Sequence, residues 1–81
     1  MMLRNRAYDE LFDFLTSSPS PEQIILFTPS QPTQYRLKYL LLRQRAGTIT
    51  REERAELDEF NRIEYLLRRL IVQARNKLAL A

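Results

Sequence analysis

Ala46-Gly47-Thr48-Ile49-Thr50-Arg51-Glu52-Glu53 is the stretch on which the fold of this chain turns. Gly47 stands where a helix end wants a left-handed residue, and glycine adopts that conformation without a Cβ penalty. Thr50-Arg51-Glu52-Glu53 is a Thr-x-x-Glu capping box, with acids placed at the positive end of a new helix dipole. One helix therefore ends at about Ala46 and another starts at about Thr50. A connection this short makes the two antiparallel neighbours.

Downstream, nothing breaks a helix from Thr50 to about Leu78, a run of about 28 residues or roughly 42 Å. Upstream, Ser30 can cap a helix that tolerates Pro32 in its first turn, where the missing N–H costs little. That helix, 30–46, reaches only about 24 Å. Before it, Ser20-Pro21-Glu22-Gln23 is a second capping box, with proline suited to the first helical position. The helix it opens is short, because Thr28-Pro29 follows Ile24-Ile25-Leu26-Phe27. Four large apolar residues in a row predict a plug packed on the longer helices. Leu3, Ala7, Leu11 and Phe14/Leu15, widened by Tyr8 and Phe12, set one apolar stripe on a helix over 3–16. Thr16-Ser17-Ser18-Pro19 ends it. The predicted fold is a single all-α domain over 1–81. It is an antiparallel helical hairpin with a long C-terminal helix, packed by an N-terminal helix and a short helical turn.

With 81 residues the core is small, and such a chain buries only about 60–65 % of its unfolded surface. One glycine and a 44 % hydrophobic content exclude a loop-rich scaffold and a disordered chain. The absence of cysteine removes disulfides and thiolate metal sites and fits a reducing cytosol. No leader-like apolar run follows the first residues and no stretch is long enough to span a bilayer, so the expectation is a cytoplasmic protein.

The net charge of +3 is less informative than its distribution. Residues 1–30 set Arg4 and Arg6 against Asp9, Glu10, Asp13 and Glu22, a net of −2. Residues 31–49 carry Arg36, Lys38, Arg43 and Arg45 and no acid, a net of +4. Residues 50–64 set Arg51, Arg54 and Arg62 against six acids, a net of −3, and 65–81 carry Arg68, Arg69, Arg75 and Lys77, a net of +4. A hairpin lays the second block beside the third, with opposite signs, although each exposed pair is worth only a few tenths of a kcal/mol.

Catalytic chemistry finds no foothold. There is no histidine, no cysteine and no Gly-rich phosphate loop. The serines sit in Pro-rich turns where capping explains them, and the acids of 52–64 read as a solvated helix face beside a basic one. The chain is expected not to be an enzyme and to need no cofactor. Gly47 and Glu53 fall at positions 6 and 12 of a calcium loop, but its positions 1, 3 and 5 would be Leu42, Gln44 and Ala46. No metal site is expected. A helix-turn-helix for DNA is disfavoured by the acidic start and the length of the second helix.

Two surfaces remain. Phe60, Ile63, Leu67, Leu70, Ile71, Ala74 and Leu78 make an apolar stripe on the second half of the long helix, which something must cover. Either the N-terminal helix folds over it, bringing Asp9, Glu10 and Asp13 to Arg68, Arg69 and Arg75, or a second chain does. The abundance of large apolar residues, including Leu40-Leu41-Leu42 and Leu70-Ile71-Val72, favours a protein partner or a homo-oligomer. Arg36 and Arg43, Arg62 and Arg69, and Arg68 and Arg75 are each seven apart and share helix faces. This basic surface would steer an acidic partner or, in the alternative reading, hold RNA or DNA phosphates.

Ser20-Pro21-Glu22-Gln23-Ile24, Phe27 with Pro29-Ser30, the run from Arg45 through Gly47 and Glu53 to Phe60, then Glu64 and the apolar run 66–78, resemble one group. These are small helical bacterial proteins whose genes are associated with those of nuclease-type toxins. The resemblance covers about three quarters of the chain, through motifs that caps and helix periodicity also demand. It implies a helical, antitoxin-like or regulatory partner and carries over no functional residue. Arg36-Leu37-Lys38-Tyr39-Leu40-Leu41-Leu42 departs from the more charged helix of that group and suggests a stickier surface.

Overall fold

A computed structural model describes residues 5–80, which form four helices with no strand among them: α1 (Arg6–Thr16), α2 (Pro21–Ile25), α3 (Gln31–Ala46) and α4 (Arg51–Leu80). Leu3 and Arg4, placed above at the start of the first helix, lie outside the described residues.

Both capping boxes form. The Ser20 hydroxyl accepts from the Gln23 N–H at 3.2 Å while Gln23 Oε1 accepts from the Ser20 N–H at 2.8 Å. Thr50 Oγ1 accepts from the Glu53 N–H at 3.1 Å, and Glu53 Oε1 accepts from the Thr50 N–H at 2.9 Å. Gly47 ends α3 in the left-handed region at φ 74°. Asn5 caps α1, its Oδ1 accepting from the Ala7 N–H at 2.9 Å.

The α3–α4 pair is an antiparallel hairpin, and its charge match takes the form of two ion pairs. Arg36 grips Glu56 with Nε at 2.9 Å and Nη2 at 2.7 Å. About two turns along α3 toward the connection, Arg43 Nε meets Glu53 Oε1 at 3.1 Å while its Nη2 donates to the Thr48 carbonyl at 2.8 Å. The same Glu53 oxygen thus caps α4 and ties it to α3. Tyr39 lies between the two guanidinium groups, 5.1 Å from Arg36 and 5.6 Å from Arg43.

The core gathers Ala7 and Leu11 of α1, Leu40 of α3, and Leu57, Phe60 and Ile63 of α4, with Tyr8, Leu15, Phe27, Leu37, Ile49, Leu67 and Leu70 packed around it. The short α2 packs on α4 more extensively than α1 or α3 does. The expected plug is real, with Ile24, Ile25 and Phe27 half-buried and the Phe27 ring tilted against that of Phe14 at 4.5 Å between centroids. Leu26 is the exception: as the C-cap of α2 it faces solvent.

One core contact had no local signal. The Glu10 carboxylate of α1 accepts from the Ser30 N–H at 2.6 Å, from the Ser30 hydroxyl at 2.8 Å and from the Thr33 hydroxyl. Thr33 is buried. Glu10 thereby caps α3 from another helix, where an anion suits the positive dipole end, and docks α1 onto the hairpin.

Candidate functional site

The apolar stripe of α4 is largely interior. Phe60 and Ile63 belong to the core, and Ala74 is only 2 % exposed. Leu67, Leu70 and Ile71 are half-buried, and Leu78 alone of the seven residues is exposed, at 37 %. The expectation that this stripe is a free partner surface is corrected accordingly. The chain covers most of it with its own helices, because α2 and α1 fold back along α4. Of the acids anticipated to meet those arginines, Glu10 is engaged at Ser30 and Thr33 instead.

The basic surface divides in the same way. Arg36 and Arg43 belong to the hairpin and are not available as an open phosphate-binding pair. Arg62 pairs with Glu59 at 2.8 Å and Arg68 with Glu64 at 2.6 Å, both along α4. Arg69 sits over the Tyr65 ring at 6.0 Å. Among the described residues no carboxylate pairs with Arg69 or Arg75.

What the fold leaves outside is a different set of apolar residues. Tyr35, Tyr39 and Leu42 share one side of α3, and Leu41 lies on another. The apolar residues of α3 are spread around the helix, so burying Leu40 leaves Leu41 and Leu42 in water. The second group is Phe12, Tyr65, Leu66 and Val72 on α1 and α4, with Tyr65 61 % and Phe12 57 % exposed.

Within this second group lies a groove of about 450 Å³ between α1 and the outer side of α4, lined by Tyr8, Asn61, Arg62, Tyr65 and Leu66. Tyr8 forms its wall and stacks on Phe12 at 5.9 Å, extending the apolar surface along α1. Burial, and then a hydrogen bond to the Glu59 carboxylate, push the Tyr8 phenol above its ordinary value, so it stays neutral. Nothing in the sequence pointed to Tyr8, Phe12, Tyr65 and Leu66 as one surface. They are brought together only when α1 crosses α4.

A second groove, of about 460 Å³, runs between the start of α1 and the outer side of α3, lined by Asn5, Arg6, Tyr35, Arg36, Tyr39 and Glu56 among others. Asn5 Nδ2 is buried without a hydrogen-bond partner among the described residues. Of the two arginines that line this groove, Arg36 is already neutralised by Glu56.

Among the described residues no group of three or more carboxylates gathers as a metal ion would need. Nor is any helix among the described residues long and apolar enough to cross a membrane. Compared with protein-family models, curated proteins and solved structures, the chain matches none of them.

Proposed function

We propose that the chain is a non-enzymatic protein-binding module, an adaptor or inhibitory subunit of the antitoxin-like kind. The observation that carries this reading is the patch of exposed Phe12, Tyr65 and Leu66 beside half-buried Tyr8, large side chains that the folded chain leaves open to solvent around a groove. Scattered exposed leucines are ordinary, whereas a contiguous aromatic and aliphatic patch is where partners dock. Its composition of Tyr, Phe and Leu with arginine at the edge is that of interface anchors. Affinity then comes from these outer residues rather than from the interior stripe 60–78.

The state of the arginines supports a protein over a nucleic acid. Arg36, Arg43, Arg62 and Arg68 each already hold a carboxylate. A phosphate backbone would have to displace those acids or tolerate them alongside.

The test is capture of partners by the tagged protein from its native cells, at moderate and raised salt, with and without nuclease. A protein retained through both treatments, and lost with Tyr65→Asp and Leu66→Asp, supports the module. Nucleic acid that leaves with either treatment makes the alternative reading the answer. Self-association, measured by sedimentation on the purified chain, would make the partner a second copy.

A further inference from the structure

We infer that the α1–α4 groove receives an acidic, amphipathic helical segment of another protein. The inference rests on the protein-binding reading and specifies its surface and its ligand chemistry. Three observations converge on it.

The first is shape. The groove is bounded by Tyr8 of α1 and by Asn61, Arg62, Tyr65 and Leu66 of α4, and is continued by Phe12, one turn along α1. A trough between two helices, with apolar walls and aromatic edges, accepts the apolar face of a third helix through side chains spaced i, i+3 or i+4 and i+7.

The second is charge. Beyond Glu64 the remaining length of α4 carries Arg68, Arg69, Arg75 and Lys77 and no acid. Arg62, already paired with Glu59, lines the groove, and Arg69 stands at Tyr65 beside it. Arg68 is compensated by Glu64, which leaves Arg69, Arg75 and Lys77 without a carboxylate partner among the described residues. A ligand carrying carboxylates on the flanks of its apolar face would meet Arg69 at the groove, while Arg75 and Lys77 farther along α4 add to the positive field that speeds and orients association.

The third excludes a second copy as the best occupant. The outer side of α4 near the groove reads Arg54, Asp58, Arg62, Tyr65, Arg69 and Val72 at helical spacing. Pairing two such faces about Tyr65, in either direction, sets arginine against arginine. Like charges brought together at an interface are costly.

The probes are three fluorescent helical peptides with the same Leu/Phe stripe, flanked by glutamate, glutamine or lysine. Binding to the full chain is followed by anisotropy at low and raised salt. The glutamate peptide should bind at least tenfold more tightly than the lysine peptide, and the gap should narrow with salt. Leu66→Asp should weaken the glutamate peptide at least tenfold. Arg62→Gln with Arg69→Gln should remove most of the preference between glutamate and glutamine peptides. Arg45→Gln, at the far end of α3, should change nothing. Leu66 and Arg69 are exposed, so circular dichroism of the variants should match the parent.

Equal binding of all three peptides, a preference for lysine, or no binding by any of them overturns the inference. So does a single-stranded RNA oligonucleotide or an anionic vesicle that binds and is lost with Leu66→Asp. A native protein partner that is captured unchanged by Leu66→Asp also overturns it while leaving the protein-binding reading intact. Absence of any captured protein from the parent chain defeats that reading itself.

Discussion

Gly47 and Glu10 show the two kinds of information a single residue carries. Gly47 is legible locally: a helix end followed by a capping box requires a left-handed residue, and that is the conformation found, at φ 74°. A Cβ added there meets no atom within 4 Å, so only the backbone conformation opposes a side chain. Gly47→Ala should therefore cost about 1–2 kcal/mol, and Gly47→Asn less, because asparagine visits this region more readily. Urea unfolding of the two variants checks this, and equal losses would point to a steric cause instead. Glu10 is legible only in three dimensions, since its partners Ser30 and Thr33 lie twenty and more residues away. Desolvation pushes its carboxyl up, but hydrogen bonds from the Thr33 hydroxyl, the Ser30 N–H and the Ser30 hydroxyl, with Arg6 nearby, outweigh that and hold it below the usual carboxylate range. A lowered folded value means that the stabilisation is complete above the unfolded value of about 4.3 and is lost as pH falls through the folded one. Glu10→Gln should lower the melting temperature near neutral pH and flatten its fall in acid. A variant whose acid limb matches the parent would remove Glu10 from this role.

Elements were read well where both ends carry chemistry, and poorly where the question was which face meets which. Helices α2, α3 and α4, two capping boxes and the hairpin follow from Ser20, Ser30, Gly47 and Thr50, each acting within a few residues. The fate of the stripe 60–78 does not, because an apolar stripe looks the same whether its cover is the chain itself or a partner. What decides it is α2, an element of five residues that packs on α4 more extensively than helices two or three times its length. Its start depends on the Ser20–Gln23 box, so Ser20→Ala should cost about 1 kcal/mol. Ala74 reports the interior of the C-terminal half, where only a methyl group fits at 2 % exposure. Ala74→Leu should overpack the site and cost about 1–3 kcal/mol. The same change at exposed Ala55 or Ala46 should cost little. If thermal melts show Ala74→Leu to be neutral, the second half of α4 is not sealed and the stripe returns as a candidate surface.

At the scale of the molecule, length mismatch governs everything else. α4 is about 45 Å long by its 30 residues, which nearly fills the 48 Å long axis, while α3 has 16 residues. The radius of gyration is 14.6 Å against about 12 Å for a compact domain of this size. The accessible surface is 6459 Å², where a compact protein of 9.7 kDa exposes about 5100 Å². A chain so extended has a thin core, and at ordinary values per residue its whole stability is about 4–12 kcal/mol. Leu40 is fully buried at the centre of the hairpin, so Leu40→Ala should remove about 2–5 kcal/mol of that. In melting temperature this is roughly 10–40 °C for a domain of this length. By contrast, the Arg36–Glu56 and Arg43–Glu53 pairs are partly exposed and screened, so raised salt should move the melting point little. A ligand that binds only the folded state, present at a hundred times its dissociation constant, returns about 2.7 kcal/mol. The acidic peptide should therefore raise the melting temperature of both the parent and Leu40→Ala by roughly 10–20 °C, and should not raise that of Leu66→Asp. If Leu40→Ala melts with the parent, the core is not centred on the hairpin. If the peptide stabilises Leu66→Asp as well, it gains its energy somewhere other than the α1–α4 groove.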